Sequence, residues 1–274
     1  MSIDEKIEES ITLLRKGEKV AIALNPQEGF FVGFSGGKDS QVLLELVKMA
    51  GVRHHAYYSV TTNDPPENVR FIRENYPEVT FIHPDRKDTF LKLVERKGLP
   101  TMDRRFCCDI PKEKHGAGSV VLDGVRAEES RKRSTYEEVM VLSRRKEHAD
   151  RHKVTIEGIM QNEHQCIKGK DKLVIHPLLH WTKDEVWEFI HEKGLRVNPC
   201  YEHSGRVGCM FCPYASKKQI NQYEQMWPKY KDQLIRALHR YWEKTDEHFF
   251  DTPEEYYEWW KSKKSVKQYK EQHY

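Results

Sequence analysis

No stretch of these 274 residues approaches the ~20 consecutive apolar residues of a membrane-spanning helix, which excludes an integral helical membrane protein. The first residues, MSIDEKIEES, are acidic and hold no apolar signal core, so secretion is not expected and a cytoplasmic location is. Excess charge of either sign is also missing. Lys and Arg number 46 against 43 Asp and Glu, and a net charge of +3 is too small by itself to argue for nucleic acid. Internal repeats and low-complexity linkers are absent. Cysteine is scarce: six residues, Cys107, Cys108, Cys166, Cys200, Cys209 and Cys212. Without a signal peptide these point to metal binding or redox chemistry rather than a disulfide framework.

What is present describes a folded, polar protein. Charged residues make up 32% of the chain, hydrophobic ones 38%, and mean hydropathy is −0.82. Even so, 13 Tyr, 11 Phe and 6 Trp argue against disorder. The length suits one large α/β domain, or one with a small appendage. Between Arg131 and Lys153, Lys and Arg outnumber Asp and Glu two to one. Such a stretch reads as a solvated helix or loop face, or as a patch for a polyanion.

Apolar periodicity predicts the elements. Ile3, Ile7, Ile11 and Leu14 place a helix over residues 3–16. Residues 20–24 and 30–34 are apolar runs split by Asn-Pro-Gln-Glu-Gly, which predicts a hairpin. A helix over 40–50 follows. Strands at 54–60, 79–84, 119–125 and 172–178 then alternate with helices at 66–76, 88–98 and 182–194. This alternation predicts a doubly wound, mostly parallel α/β sheet. From about Ser216 onward only helical patterns appear, rich in Trp and Tyr. They read as a small helical core or as an aromatic platform for a base or a partner.

The loop Ser35-Gly36-Gly37-Lys38-Asp39-Ser40 lies between a predicted strand and a predicted helix. Two glycines let the backbone turn its N–H groups toward an anion, and the helix N-terminus adds partial positive charge. Lys38 adds a full charge, Ser35 and Ser40 add hydroxyls, and Asp39 can orient Lys38 or reach Mg2+. The spacing is not that of the usual P-loop. Thr61 and Thr62 follow the next strand, at a carboxyl end where open sheets bind ligands. Gly124 and Arg126, with Ser130 beyond them, follow a later strand, and a guanidinium there can clamp an oxyanion bidentately. Its alternative is a surface ion pair with Glu128 or Glu129. His54, His55, His83 and His176 border strand ends facing the expected site, with a plain surface or core role as the alternative, and the other ten histidines match no ligand spacing.

Cys107-Cys108 and Cys209-x-x-Cys212 form a second constellation. A tandem pair is awkward for a four-Cys zinc site, which favours paired C-x-x-C knuckles, though zinc stays open. An iron–sulfur cluster is larger and can take both tandem thiolates on different irons. Cys200 could replace one tandem cysteine as a ligand. Cys166 reads as a free thiol, or as a sulfur-relay or nucleophilic cysteine.

Taken together, SGGKDS, the Gly124–Ser130 segment, the tandem cysteines and the C-x-x-C resemble the phosphoadenosine phosphosulfate (PAPS) reductase family of the PP-loop, adenine nucleotide alpha-hydrolase superfamily, in its iron–sulfur branch. The resemblance spans roughly residues 20–215. It implies an enzyme with an adenine nucleotide on the loop, ATP or a sulfonucleotide, with Mg2+, and with Lys38, Asp39 and Arg126 as catalytic residues. It implies a nucleotide site of Ser35, Gly36, Gly37, Lys38, Asp39, Ser40, Thr61, Thr62, Gly124, Arg126 and Ser130. It also implies a 4Fe-4S cluster on Cys107, Cys108, Cys209 and Cys212. The expected organisation is an N-terminal helix and hairpin strand at 1–29, a nucleotide-binding domain with the cluster at 30–215, and a helical extension at 216–274. One family feature is missing. Sulfonucleotide reductases attack sulfate with a cysteine in a C-terminal Glu-Cys-Gly-Leu-His motif, and residues 213–274 hold no cysteine. The expected chemistry is therefore ATP-dependent adenylation of an acceptor for sulfur transfer. The alternatives are sulfonucleotide reduction with a thiol from elsewhere and a non-catalytic nucleotide-binding cluster protein. Expected partners are a sulfur or electron donor protein and a nucleic-acid acceptor, with no membrane, and a homodimer left open.

Overall fold

The computed structural model describes residues 2–110, 115–145, 148–160, 171–245 and 249–273. The chain forms two compact units. The first comprises Met1–Ser59, Pro66–Ile82 and Lys114–Val207; the second comprises Val60–Pro65, His83–Glu113 and Gly208–Tyr274. This grouping differs from the boundary expected at 215/216. Residues 83–113 and the C-x-x-C join the C-terminal helices. Among the described residues, no helix is long and apolar enough to cross a membrane.

The first unit is built on one sheet. Its strands are β1 (Phe30–Gly33), β2 (His54–Ser59), β3 (Thr80–Ile82), β4 (Val120–Leu122), β5 (Val139–Arg145), β6 (His148–Lys153) and β7 (Lys172–Ile175). Their order among the described residues is β3-β2-β1-β4-β7-β5-β6. The pairs β3–β2, β2–β1, β1–β4 and β4–β7 are parallel; β7–β5 and β5–β6 are antiparallel. The mostly parallel doubly wound sheet is therefore present, with an antiparallel edge. Short apolar runs suit central strands that are covered on both faces. Phe30 and Val32 of β1 and all four residues of β7 are buried.

Strand order also locates a topological switch point. From β1 the chain winds outward through β2 to β3. It then returns to β4 on the other side of β1. The switch point lies between β1 and β4, the kind of position at which open α/β sheets bind ligands. The loop after β1 is Ser35–Ser40, and the loop after β4 is 123–126.

Two expectations need correction. Residues 20–24 form no hairpin strand, because helix α1 runs from Ile3 to Leu24. A Ser2/Glu5 capping box starts it, and Ile7, Ile11, Leu14, Val20 and Ala21 bury one continuous stripe. Gly17, which reads as a breaker, is a close-approach site. A Cβ there would lie 2.7 Å from Ile175 Cδ1 and 3.2 Å from Phe30 Cζ. The helix stops at Asn25, the residue before Pro26. Second, the basic stretch after Arg131 is not a helix or plain loop. It supplies strands β5 and β6, whose register runs from Met140 opposite Lys153 to Arg145 opposite His148. The apolar run Val139–Leu142 is short and gives way at once to Ser143, Arg144 and Arg145, which hides the strand signal.

The second unit is helical. Helices at Phe90–Lys97, Lys217–Met226, Pro228–Trp242 and Pro253–Ser262 enclose a core that includes Phe90, Val94, Phe211, Ile220, Leu234, Leu238, Tyr257 and Trp260. The aromatic segment is therefore core for Tyr223, Tyr257 and Trp260, each at most 5% exposed. The Trp260 indole donates to Pro100 O at 2.6 Å, meeting the need of a buried N–H.

Candidate functional site

In the first unit the loop after β1 leads into helix α2 (Lys38–Ala50). Gly36 has φ +76°, and a Cβ there would lie 2.4 Å from Asn68 Oδ1. Only glycine fits such a position without strain. Ser40 Oγ donates to Gly37 O at 2.9 Å and accepts from Ser35 N at 3.2 Å, closing the loop on itself. The first turn of a helix leaves N–H groups without an intrahelical acceptor. Here Lys38 N donates to the Tyr201 hydroxyl at 2.9 Å, and Gly37 N donates to Ser35 Oγ at 3.3 Å. Burial pushes the Tyr201 hydroxyl up to about 12, so it stays protonated and can donate onward.

The three residues expected to be catalytic meet. Lys38 Nζ lies 2.8 and 2.7 Å from the two Asp39 carboxylate oxygens. Arg126 Nε lies 2.6 Å from Asp39 Oδ1, and its Nη1 pairs with Glu128. Arg126 is 4% exposed. Burial works against its charge, but Asp39 and Glu128 outweigh this and hold its pKa above the usual value. Arg126 is thus more than a surface pair, although Glu128 does share it. Gly124 packs against the Asp39 backbone, where a Cβ would meet main-chain atoms at 3.0 Å. Ser130 is exposed, and its hydroxyl accepts from Arg133 N at 3.2 Å.

Beneath the loop lies a polar network that sequence reading missed. Asn198 is fully buried, and its Nδ2 donates to Gly36 O at 2.9 Å and to Asn68 Oδ1 at 2.7 Å. Asn68 Nδ2 reaches Ser35 O at 3.2 Å and the Tyr58 hydroxyl at 3.3 Å. Gln41 Nε2 reaches Gly36 O at 3.3 Å, and Tyr76 holds its other end at 2.7 Å. An Asn before Pro199 and two residues from a cysteine reads as turn chemistry, so nothing in the sequence marks it as support for a loop whose Gly36 lies 162 positions away.

The second unit holds Cys107, Cys108, Cys209 and Cys212. Cys107 and Cys108 lie on a short helix, Phe106–Asp109, and Cys107 and Cys212 pack against the core. The C-x-x-C is held by Asn63, whose carbonyl accepts from Met210 N at 2.8 Å and whose side-chain amide donates to Met210 O. Phe211, fully buried between the two cysteines, has φ +43°, an uncommon value for a bulky residue and a mark of a constrained turn. The Cys107 thiol is raised well above its usual value. Its hydrogen bond with Cys108 is the main cause, followed by burial and by the charge of Cys108, Cys209 and Cys212. Charge on Cys108, Cys209 and Cys212 thus acts on the Cys107 sulfur. Among the described residues no three His, Cys, Asp or Glu are grouped as for a single metal ion.

Lys263 was also missed. Its Nζ donates to Pro213 O at 3.0 Å and lies 4.3 Å above the Trp260 ring. Burial pushes its pKa down to about 8, while Cys212 opposes the shift. One lysine in a Lys-rich tail carries no sequence signal.

Thr61 and Thr62 belong to this second unit. Thr61 Oγ1 lies 3.5 Å from Cys209 Sγ, and Thr62 Oγ1 accepts from Phe90 N at 2.7 Å. Cys200 belongs to the first unit, fully buried, with its thiol pushed up to about 12 by burial and by Glu67. Cys166 lies outside the described residues. His54 and His55 open β2 and sit at its amino end, not at a carboxyl end; His176 directly follows β7.

The family model of the phosphoadenosine phosphosulfate reductase domain matches residues 29–215, so the chain belongs to that family. An uncharacterised protein of Methanocaldococcus jannaschii is 24% identical over 250 residues, 89% of this chain and 55% of that protein. Adenosine 5'-phosphosulfate reductase 2 of Bacillus subtilis is 22% identical over 204 residues, 70% of this chain and 76% of the reductase. The chain spans about half the length of the first of these relatives. The crystal structure of phosphoadenylyl-sulfate reductase from Candida auris, a phosphate complex, is 13% identical with a TM-score of 0.48, covering 77% of this chain and 95% of that one.

Proposed function

We propose that the chain is an ATP-using, iron–sulfur enzyme that adenylates an acceptor oxygen and so prepares it for displacement by sulfur. The observation that carries the reading is the convergence of Lys38 and Arg126 on Asp39 at the mouth of the loop. Two buried cations share one partly exposed carboxylate. An incoming triphosphate can take over their charge, so the cations are positioned before the nucleotide arrives.

In this reading Ser35, Gly37, Lys38 and Ser40 hold the phosphates. The protonated Tyr201 hydroxyl adds a donor beside Lys38 N. Arg126 stabilises charge on the α-phosphate as the acceptor oxygen attacks and the bond to pyrophosphate breaks. Asp39 is the residue that would hold Mg2+, a hard cation that takes one or two carboxylates along with substrate phosphates.

The second unit's donor set fits a cluster. It offers four sulfurs, soft donors, and charge on Cys108, Cys209 and Cys212 disfavours a thiolate at Cys107 unless positive charge lies among them. Cys107, Cys108, Cys209 and Cys212 would hold it, and Lys263 would offset its negative charge. Such a group supplies a structural tie, or an iron site for incoming sulfide.

Family membership favours a second reading, reduction of a sulfonucleotide, with sulfate instead of pyrophosphate on the loop. One assay separates the two. The first reading predicts pyrophosphate release from ATP in the presence of acceptor; sulfite release from a sulfonucleotide without pyrophosphate would replace it with the second. Binding without turnover of either would leave a non-catalytic nucleotide-binding protein.

A further inference from the structure

The loop after β4 has a second side. Asp123 and Val125 alternate with Gly124 and Arg126. While Arg126 reaches Asp39, Asp123 and Val125 line a separate cavity of about 230 Å³ within the first unit. Its other walls include Tyr136, Met140, Val174 and His176. His176 Nδ1 lies 2.6 Å from Asp123 Oδ1, which also accepts from Val125 N at 3.3 Å. With Nδ1–H donating to the carboxylate, the neutral ring carries its free lone pair on Nε2. The ring is 4% exposed, and Nε2 has no hydrogen-bond partner among the described residues. Tyr136 stacks on the His176 ring at 5.7 Å and 27°. Arg133 also lines the cavity, but its charge is paired with Glu129.

These features describe a ligand. The volume falls below the ~300 Å³ at which pockets for drug-sized molecules begin, so one ring fits and a nucleotide does not. The Tyr136 and His176 rings favour a flat group, and the charged side chains of the lining, Asp123 and Arg133, are already engaged by His176 and Glu129, which favours an uncharged one. Nε2 of His176 is an acceptor, so a group placed against it must donate. We propose that this cavity is a second binding site, taking a single uncharged planar ring whose N–H or O–H donates to Nε2 of His176. If the adenylation reading holds, this ring belongs to the acceptor. As its oxygen bonds to the α-phosphorus and pyrophosphate leaves, the ring proton passes to Nε2. The electron pair stays on the ring, and the imidazolium formed is paired with Asp123.

The test uses the full chain labelled with 15N-histidine, and uracil as probe. Uracil should shift the Nε2 resonance that is lost in His176→Phe, whereas 1,3-dimethyluracil, which has no N–H, should not. His176→Phe keeps a flat ring beside Tyr136 and should bind uracil about tenfold more weakly, the value of one hydrogen bond. No shift of that resonance up to the solubility limit of uracil would overturn the proposal, as would equal binding of the dimethyl compound. Saturating ATP provides a further arm. Uracil binding that persists in ATP supports a second site. Displacement by ATP would assign the cavity to adenine and overturn it. Failure of ATP to bind, with uracil still bound, would sink the adenylation reading and leave this site standing.

Discussion

Gly36 and Gly37 are adjacent in the sequence and should respond to alanine in opposite ways. At Gly36, alanine would be forced to φ +76°, which costs an L-residue roughly 1–2 kcal/mol. Its Cβ would also sit 2.4 Å from Asn68 Oδ1. Asn68 cannot simply swing away, because its amide is held by Asn198 at 2.7 Å, Ser35 O at 3.2 Å and Tyr58 at 3.3 Å. Giving up two or three such bonds costs about 1 kcal/mol each. The expected total is about 3–5 kcal/mol. At Gly37 the backbone is extended with φ −82°, and the nearest atoms to a Cβ are at 3.4 to 3.6 Å. The only expected cost there is a poorer N-cap, about 0.5–1 kcal/mol. Urea denaturation of both variants, followed by ATP titration, checks this. Gly36→Ala should unfold at clearly lower urea and bind ATP at least tenfold more weakly, while Gly37→Ala should keep near-wild-type stability. The double variant Gly36→Ala/Asn68→Ala should be non-additive, because the clashing oxygen is gone. Equal stability of Gly36→Ala and Gly37→Ala would refute the reasoning.

Three further predictions concern other parts of the molecule. Arg126→Lys cannot serve Asp39 and Glu128 together through a planar fork, so ATP affinity should fall at least tenfold by calorimetry; unchanged affinity would remove Arg126 from the site. Cys209→Ser, purified without oxygen, should lose iron and sulfide and melt at lower temperature, whereas Cys200→Ser should keep its metal content; the reverse pattern would exchange their roles. Burial raises the Glu224 carboxyl, but Tyr257 at 2.9 Å and Lys261 at 3.2 Å outweigh it and hold the pKa below its usual 4.5. The unfolded chain then binds the proton more readily than the folded one. The resulting stability is present above pH 4.5 and lost as pH falls through the folded value. Glu224→Gln should flatten the acid limb of a melting-temperature profile, and an unchanged limb would show that other carboxylates govern it.

The alternation of apolar segments dictated the parallel sheet, because central strands must be apolar on both faces and crossovers need helices. Composition excluded a helical membrane span. Local spacing marked Ser35–Ser40 as a candidate anion loop and each cysteine pair as a candidate ligand pair, because such groups sit close together along the chain, whereas joining Cys107-Cys108 to the distant Cys209-x-x-Cys212 rested on the family resemblance. Local signals failed where distant packing overrode them. Gly17 reads as a helix breaker, yet it lies where α1 presses on Phe30 and Ile175 and no side chain fits. β5 and β6 carry too much charge to read as strands, yet antiparallel pairing with β7 satisfies their backbones. Only tertiary structure could bring Asn198 under Gly36, Tyr201 onto Lys38, Lys263 onto Pro213 and His176 onto Asp123. Each of these contacts joins residues 50 or more positions apart. A one-dimensional pattern records periodicity and neighbours, while the hydrogen-bond partner of a buried polar atom is chosen by the fold.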